Sequence, residues 1–178
     1  MTTEPSTTLF TTDRLLVRPI DLDRDLDALH DMYSDPDVVV HIGGRLDASP
    51  EETRERMEQR TSGHAPGLGF FAAELKENGE VVGIAAVREL DGGPEIEFGY
   101  HLRRRFWRQG LATEVGAGCI AYARDVLGLS EIWGIVAPAN ARSIAVQEKL
   151  GLVYQRTAIV YGLEHRLFRR TLTPGETS

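Results

Sequence analysis

Apolar positions along this 178-residue chain follow two rhythms, alternation and helical spacing, and the rhythm switches from segment to segment. Residues 15–20 alternate as a strand. Residues 21–34 set Leu22, Leu26, Leu29 and Met32-Tyr33 on one stripe of a helix that stops before Pro36. Ser49-Pro50-Glu51-Glu52 supplies a cap, a proline at the first helical position and acids in the first turn, opening a polar helix to about residue 62. Residues 63–69 read as a loop. Strands over 70–75 and 81–87 flank Asn78-Gly79, a hairpin turn whose residues tolerate positive φ. Asp91-Gly92-Gly93 turns into a third strand that ends at Leu102. A helix follows, with Ala112, Val115, Gly116, Cys119, Ala123, Val126 and Leu127 at helical spacing and Gly128 as its stop. Beyond it come a strand over 131–137 ended by Pro138, and a helix from the cap Asn140 to Leu150. Gly151 closes that helix, with Val146 and Leu152 placed for the apolar contact of such a cap. Residues 153–160 and 165–172 form a closing hairpin.

Composition narrows the class. With 42% hydrophobic residues the chain can close one sizeable core, and no linker or repeat splits it. One domain over residues 9–172 is expected between flexible tails at 1–8 and 173–178. No apolar run approaches the ~20 residues that cross a bilayer, and the opening residues are polar and Thr-rich, so neither secretion nor membrane insertion is expected and a cytoplasmic location is the simplest inference. Cys119, the single cysteine, rules out an intramolecular disulfide or a cysteine-rich metal site, and on a buried stripe it reads as core. A net charge of −7 argues against general nucleic-acid binding and mildly favours a cationic partner such as an amine.

The most informative stretch runs from Ile96 to Glu114, where a strand enters a basic turn that opens directly onto a helix. A helix start leaves about four backbone N–H groups without intrahelical acceptors and carries roughly half a positive charge, so a phosphate fits there. Gly110 lets backbone approach a ligand, and Ala112 and Thr113 keep the first turn small. An ordinary strand-to-helix connection with a solvated basic face accounts for the same residues. Gly67-Leu68-Gly69 imitates a dinucleotide-binding pattern but precedes a strand instead of following one, and that reading is rejected.

Trp107-Arg108-Gln109-Gly110-Leu111-Ala112 resembles the coenzyme A loop of the GNAT N-acetyltransferases, and Glu97 to Glu114 resembles their RimJ/RimL-type branch, except that Arg108 stands where the branch has glycine. Thr12 to Pro19, Ser34 to Val38, Asn140 to Ser143 and Glu148 to Leu152 resemble other segments of the branch in the expected order, so the resemblance covers about residues 9–172. It implies an α/β fold with a mixed, mostly antiparallel twisted sheet of about six to seven strands flanked by about four helices. It also implies direct acetyl transfer from acetyl-coenzyme A to a primary amine, a protein N-terminus or a small amine, without a metal. The pyrophosphate would then lie on Arg108, Gln109, Gly110, Leu111, Ala112 and Thr113, with Arg103, Arg104 and above all Arg105 near the ribose phosphate. The pantetheine arm would lie along Tyr100, His101 and Leu102, with Asn140 bonded to it and Ser143 directed at the sulfur. Glu97 matches the family's acid and is expected to remove the amine's proton; Glu164 is the second candidate. Read from the residues alone, Glu97 is equally an ordinary strand carboxylate paired with an arginine. The tyrosine that many members place in the last helix is replaced by Gln147, leaving Tyr154 as an outside candidate for the acid. His41 and the Asp35-Pro36-Asp37 turn fall where the family builds its acceptor pocket. A non-catalytic acyl-coenzyme A sensor of the same fold remains the alternative, and pairing of two copies stays open.

Overall fold

The computed structural model describes residues 7–176. Eight strands form one sheet in the order β1-β2-β3-β4-β5-β6-β8-β7. They are β1 (Phe10–Thr11), β2 (Leu15–Pro19), β3 (Gly69–Leu75), β4 (Val81–Glu89), β5 (Ile96–Leu102), β6 (Glu131–Val136), β7 (Val153–Val160) and β8 (Leu163–Thr171). All neighbours are antiparallel except β5 and β6. Five helices cover the two faces: α1 (Leu22–Tyr33), α2 (Pro36–Val39), α3 (Pro50–Thr61), α4 (Leu111–Asp125) and α5 (Ala141–Lys149). The expected architecture holds, with one strand and one helix more than the sequence pattern resolves. The expected tail at 1–8 lies, except for Thr7 and Thr8, outside the described residues, as do the last two residues of the tail at 173–178.

Local chemistry sets the helix ends. Asp21 caps α1 by accepting from the Asp23 amide at 3.1 Å, and Ser49 caps α3 by accepting from Glu52 at 3.3 Å. The added helix α2 uses the same device: Asp35 accepts from the Asp37 amide at 2.9 Å and Pro36 takes the first helical position. At the end of α5 the Leu152 amide reaches the Gln147 carbonyl and Gly151 reaches Glu148, both at 3.0 Å, the paired closure that a residue at positive φ permits.

The sheet separates two apolar layers. On one face α4 and α5 pack Leu111, Val115, Cys119, Ile120 and Leu150 against Val17, Ala73, Ala85 and Phe98. On the other, α1, α2 and α3 pack Leu29, Met32, Tyr33, Val38 and Met57 against Phe70, Ile84 and Ala86. Cys119 is fully buried and its thiol is pushed up to about 12 by that burial, a core residue and not a nucleophile. Val126 departs from the expected stripe: it follows the last turn of α4 and is 65% exposed, while Ile120 and Tyr122 hold the buried face.

The feature that makes room for chemistry is a break in pairing. β5 and β6 meet only at Glu97↔Trp133 and Phe98↔Gly134, yet β5 continues to Leu102 and β6 to Val136. From Gly99 onward the two parallel strands diverge, and α4 begins a few residues beyond the open end of β5.

Candidate active site

One cavity of about 450 Å³ occupies the divergence of β5 and β6 and the start of α4. Its wall includes Tyr100, His101 and Leu102 from β5, Arg108, Gly110, Leu111, Ala112 and Thr113 from the loop and α4, and Asn140 and Ser143 from α5. Ten of the expected site residues thus share one space, which Val38, His41 and Ile42 close from the opposite layer. Gln109 and Arg105 do not line it. The Gln109 side chain turns back to donate to the Arg105 carbonyl at 3.0 Å, and Arg105 pairs with Glu80.

The loop is held by backbone conformation and by one ion pair. Arg108 has φ +62° and Gly110 has φ +77°, so both hold the left-handed conformation, which a non-glycine residue such as Arg108 adopts only at a cost. The first amide of α4 with a helical acceptor is that of Glu114, which reaches the Gly110 carbonyl at 3.1 Å; those of Leu111, Ala112 and Thr113 have none among the described residues. Glu114 itself accepts from the Thr12 hydroxyl at 2.6 Å and from the Arg14 amide and Nε, each at 2.7 Å. Burial would raise this carboxyl, but those donors outweigh it and hold it below the ordinary range. Arg14 also donates to the Gln109 carbonyl at 2.9 Å, tying the loop to the β1–β2 turn.

The arginines after β5 are committed to protein carboxylates. Arg103 pairs with Asp31 at 2.8 Å, and Arg104 pairs with Asp35 at 2.8 Å and Asp37 at 3.0 Å. The cations left for a phosphate are Arg108 and Arg142, which line the cavity and have no ion pair among the described residues. Arg142 stacks on Trp107, whose indole donates to the Leu102 carbonyl at 2.9 Å and fixes the turn.

On the α5 side Asn140 accepts from the Ser143 amide at 3.2 Å, which frees the Ser143 hydroxyl to share a 3.0 Å hydrogen bond with the Tyr100 hydroxyl. Burial raises the Tyr100 phenol above its ordinary value, and Ser143 only partly opposes this. Gln147, in the place of the absent tyrosine, is buried with its amide against Gly134, where a Cβ would stand 2.1 Å from Oε1. That oxygen has no hydrogen-bond partner among the described residues, and the side chain does not reach the cavity.

Glu97 lies at the apex of the divergence, on the face of β5 that turns towards α1 and α3. It is 2% exposed; Arg88 Nε and the Tyr161 hydroxyl donate to its Oε1 at 2.8 and 2.9 Å. Burial raises its carboxyl, and the Arg88 charge and the Tyr161 hydroxyl offset this only in part. Tyr161, in the β7–β8 turn, is pushed up to about 12 by burial and by the Glu97 charge. Glu164 is exposed on the β7–β8 hairpin opposite Ile159, and Tyr154 bonds Thr157 at 3.0 Å; neither lines the cavity. The sequence reading missed Arg14, Tyr33, Arg60 and Tyr161, whose roles arise from partners 27 to 100 positions away. Among the described residues, no group of three or more His, Cys, Asp or Glu could hold a metal ion, and no helix is long and apolar enough to cross a membrane.

Comparison with known proteins places the chain in a family and a fold. A family model described as an acetyltransferase (GNAT) domain matches residues 14–153. The Bacillus subtilis protein YkkB, itself described as uncharacterized, is 30% identical over 156 residues, covering 84% of this chain and 88% of that protein. A solved acetyltransferase of the GNAT family from Bacillus anthracis superposes with a TM-score of 0.77 at 21% identity, over 90% of this chain and 96% of that one. Spermidine N-acetyltransferase from Vibrio cholerae, solved in complex with CoA and spermine, superposes with a TM-score of 0.72 at 17% identity, over 89% and 95% of the two chains. The last two establish the fold.

Proposed function

The chain belongs to the acetyltransferase (GNAT) family and is an acyltransferase, and from that premise we propose that it transfers acetyl from acetyl-coenzyme A directly to a primary amine, a peptide N-terminus or a small amine, in a ternary complex. The motif from Glu97 to Glu114 favours the RimJ/RimL-type branch. The observation that carries the reading is the coincidence, in one cavity, of diverging parallel strands with a helix start whose amides have no acceptors.

Those features fit the group. The amides from Arg108 to Thr113 hold the pyrophosphate, with Arg108 and Arg142 supplying the cations that Arg103, Arg104 and Arg105 have committed elsewhere. The open edge of β5 from Tyr100 to Leu102 and the Asn140 side chain orient the arm. Acetyl-coenzyme A, when bound, supplies the activated acyl group as a thioester. Glu97 takes the amine's proton through water, since its carboxylate is enclosed by Arg88 and Tyr161. The Ser143–Tyr100 hydroxyl pair holds a proton for the leaving sulfur, replacing the tyrosine absent at Gln147.

An enclosed base suits an amine that gives up its proton readily. At pH 7 deprotonating a lysine of pKa ~10.4 costs about 4 to 5 kcal/mol, an α-amine near 7.7 about 1. A peptide with a free N-terminus and an internal lysine, offered with acetyl-coenzyme A and mapped by fragmentation mass spectrometry, should gain its acetyl group on the α-amine at pH 7, with selectivity narrowing towards pH 9. Predominant lysine acetylation at pH 7 refutes this.

A further inference from the structure

Strand alternation puts Glu97, Gly99 and His101 on the same face of β5, successive members about 7 Å apart. Between the two titratable residues there is a gap: a Cβ built on Gly99 meets nothing within 4 Å. His101 lines the cavity beside it. Its ring is held from behind, where Nδ1 lies 3.1 Å from the hydroxyl of the fully buried Tyr33, and that oxygen accepts from Arg60 Nη1 at 2.8 Å.

This chain of bonds favours one placement of the imidazole's proton, because the other leaves the buried Tyr33 hydrogen without an acceptor. A guanidinium only donates, so the Tyr33 oxygen accepts from Arg60 and its single hydrogen is free to go to Nδ1. A ring whose Nδ1 accepts carries its proton on Nε2, and among the described residues Nε2 has no protein partner. An imidazolium would instead leave the Tyr33 hydrogen with nowhere to go. The charges around the ring act in the same direction. Arg56 and Arg60 face it from α3 and Arg88 from β4; the carboxylates Asp47 and Glu97 are bound to Arg56 and Arg88, and Tyr33 from α1 is neutral. Burial first, then these three guanidiniums, hold His101 well below the ordinary histidine value.

We propose that Gly99 floors the acceptor niche and that His101 Nε2–H donates a hydrogen bond to an oxygen carried next to the acceptor's amine, so that the acceptors are amino acids, their amides and peptide N-termini and not polyamines. The acceptor half rests on the acetyl-transfer reading above. The amine then faces Glu97 and the oxygen faces His101, while Arg60, the one of the three guanidiniums with no carboxylate partner among the described residues, repels a second ammonium. The net charge of −7 does not reverse this, because exposed charges beyond about 8 to 10 Å are screened and Arg60 is local.

The donor half is tested without turnover. Two-bond 1H–15N spectra of the labelled protein between pH 5 and 8, with His101 identified by its loss in His101→Gln, should show an Nε2–H ring that does not titrate. In Tyr33→Phe that tautomer should lose its dominance. An Nδ1–H ring, or titration near 6.5, overturns the assignment. The acceptor half is read as a selectivity ratio, kcat/KM for an amino-acid amide over that for spermidine, with acetyl-coenzyme A affinity measured by calorimetry to confirm an intact fold. The ratio should fall about tenfold or more in His101→Phe and be largely rescued in His101→Gln, which keeps an N–H at similar reach. Gly99→Val, filling the niche, should raise KM for the amide with acetyl-coenzyme A affinity retained. An unchanged ratio in His101→Phe, or a wild-type preference for spermidine, overturns the acceptor assignment. Failure of the wild-type protein to acetylate any amine overturns the acetyl-transfer reading itself, and the tautomer measurement still decides the donor.

Discussion

Glu114→Gln isolates the tie that shapes the cofactor loop. The carboxylate is 15% exposed and accepts three hydrogen bonds, from the Thr12 hydroxyl and from the Arg14 amide and Nε. The amide variant keeps one oxygen for Thr12 and the Arg14 amide but turns an NH2 group towards Nε, so donor meets donor. Hydrogen bonds to a charged group contribute about 1.5 to 3 kcal/mol each and are not additive here. Arg14 is 48% exposed and regains water when released, which discounts the ionic part. The expected loss is about 2 kcal/mol in urea unfolding at pH 7, or roughly 4 to 8 °C in Tm for a domain of this size. Arg14 also anchors the Gln109 carbonyl, so the loop should loosen and acetyl-coenzyme A affinity fall about tenfold by calorimetry, 1.4 kcal/mol. The pH dependence has a definite sign. The Glu114 carboxyl is depressed in the fold, so its contribution is present above the unfolded value of about 4.3 and lost as pH falls through the folded one; the gap between wild type and variant should start to narrow below the unfolded value and close below the folded one. A variant within 0.5 kcal/mol of wild type at pH 7 with unchanged cofactor affinity, thresholds set by ordinary surface substitutions, would refute the latch.

Arg108→Gly should separate conformation from charge. Relief of the left-handed strain at φ +62° should stabilise the fold by about 0.5 to 1 kcal/mol in urea unfolding, while loss of the cation should weaken acetyl-coenzyme A binding several-fold at low salt; tighter binding would count against a phosphate role. Glu97→Gln should lower turnover about 10²-fold at pH 7 with little change in cofactor affinity, and the rate should recover as pH approaches the amine's own pKa. A uniform loss at every pH would point to positioning, and no loss would remove Glu97 from the mechanism.

Much of this architecture is legible in the chain because it is set locally. The Asn78-Gly79 turn, the Ser49-Pro50 cap and the Gly151 closure act within a few residues, and each defines an element boundary to within a residue or two. The helix over Pro36–Val39 carries the same signal as Ser49-Pro50 in Asp35-Pro36, but there the proline also ends α1, and the stop masks the start. Phe10–Thr11 is too short to show alternation. What local pattern could not show was the destination of charge. Arg103, Arg104 and Arg105 form a basic run in the sequence and are neutralised by Asp31, Glu80, Asp35 and Asp37 from α1, the β3–β4 turn and α2. His101 reads as one more residue of the strand's open edge; its tautomer depends on Tyr33, 68 positions away, and on Arg60, which lies 27 positions from Tyr33.

The two residue pairs joining β5 to β6 have a mechanical consequence. Everything from β1 to β5 is one leaf, everything from β6 to β8 another, and Glu97↔Trp133 with Phe98↔Gly134 is the spine between them. Phe98 and the Gly134–Gln147 contact sit at that spine, and Tyr161 of the β7–β8 turn adds a second tie by its hydrogen bond to Glu97. A ligand wedged along the open edge would brace both leaves at once. Amide exchange in β6 and β8, which contribute no residue to the cavity, should therefore slow when the cofactor binds, and the binding energy would be felt as stiffness of the whole sheet.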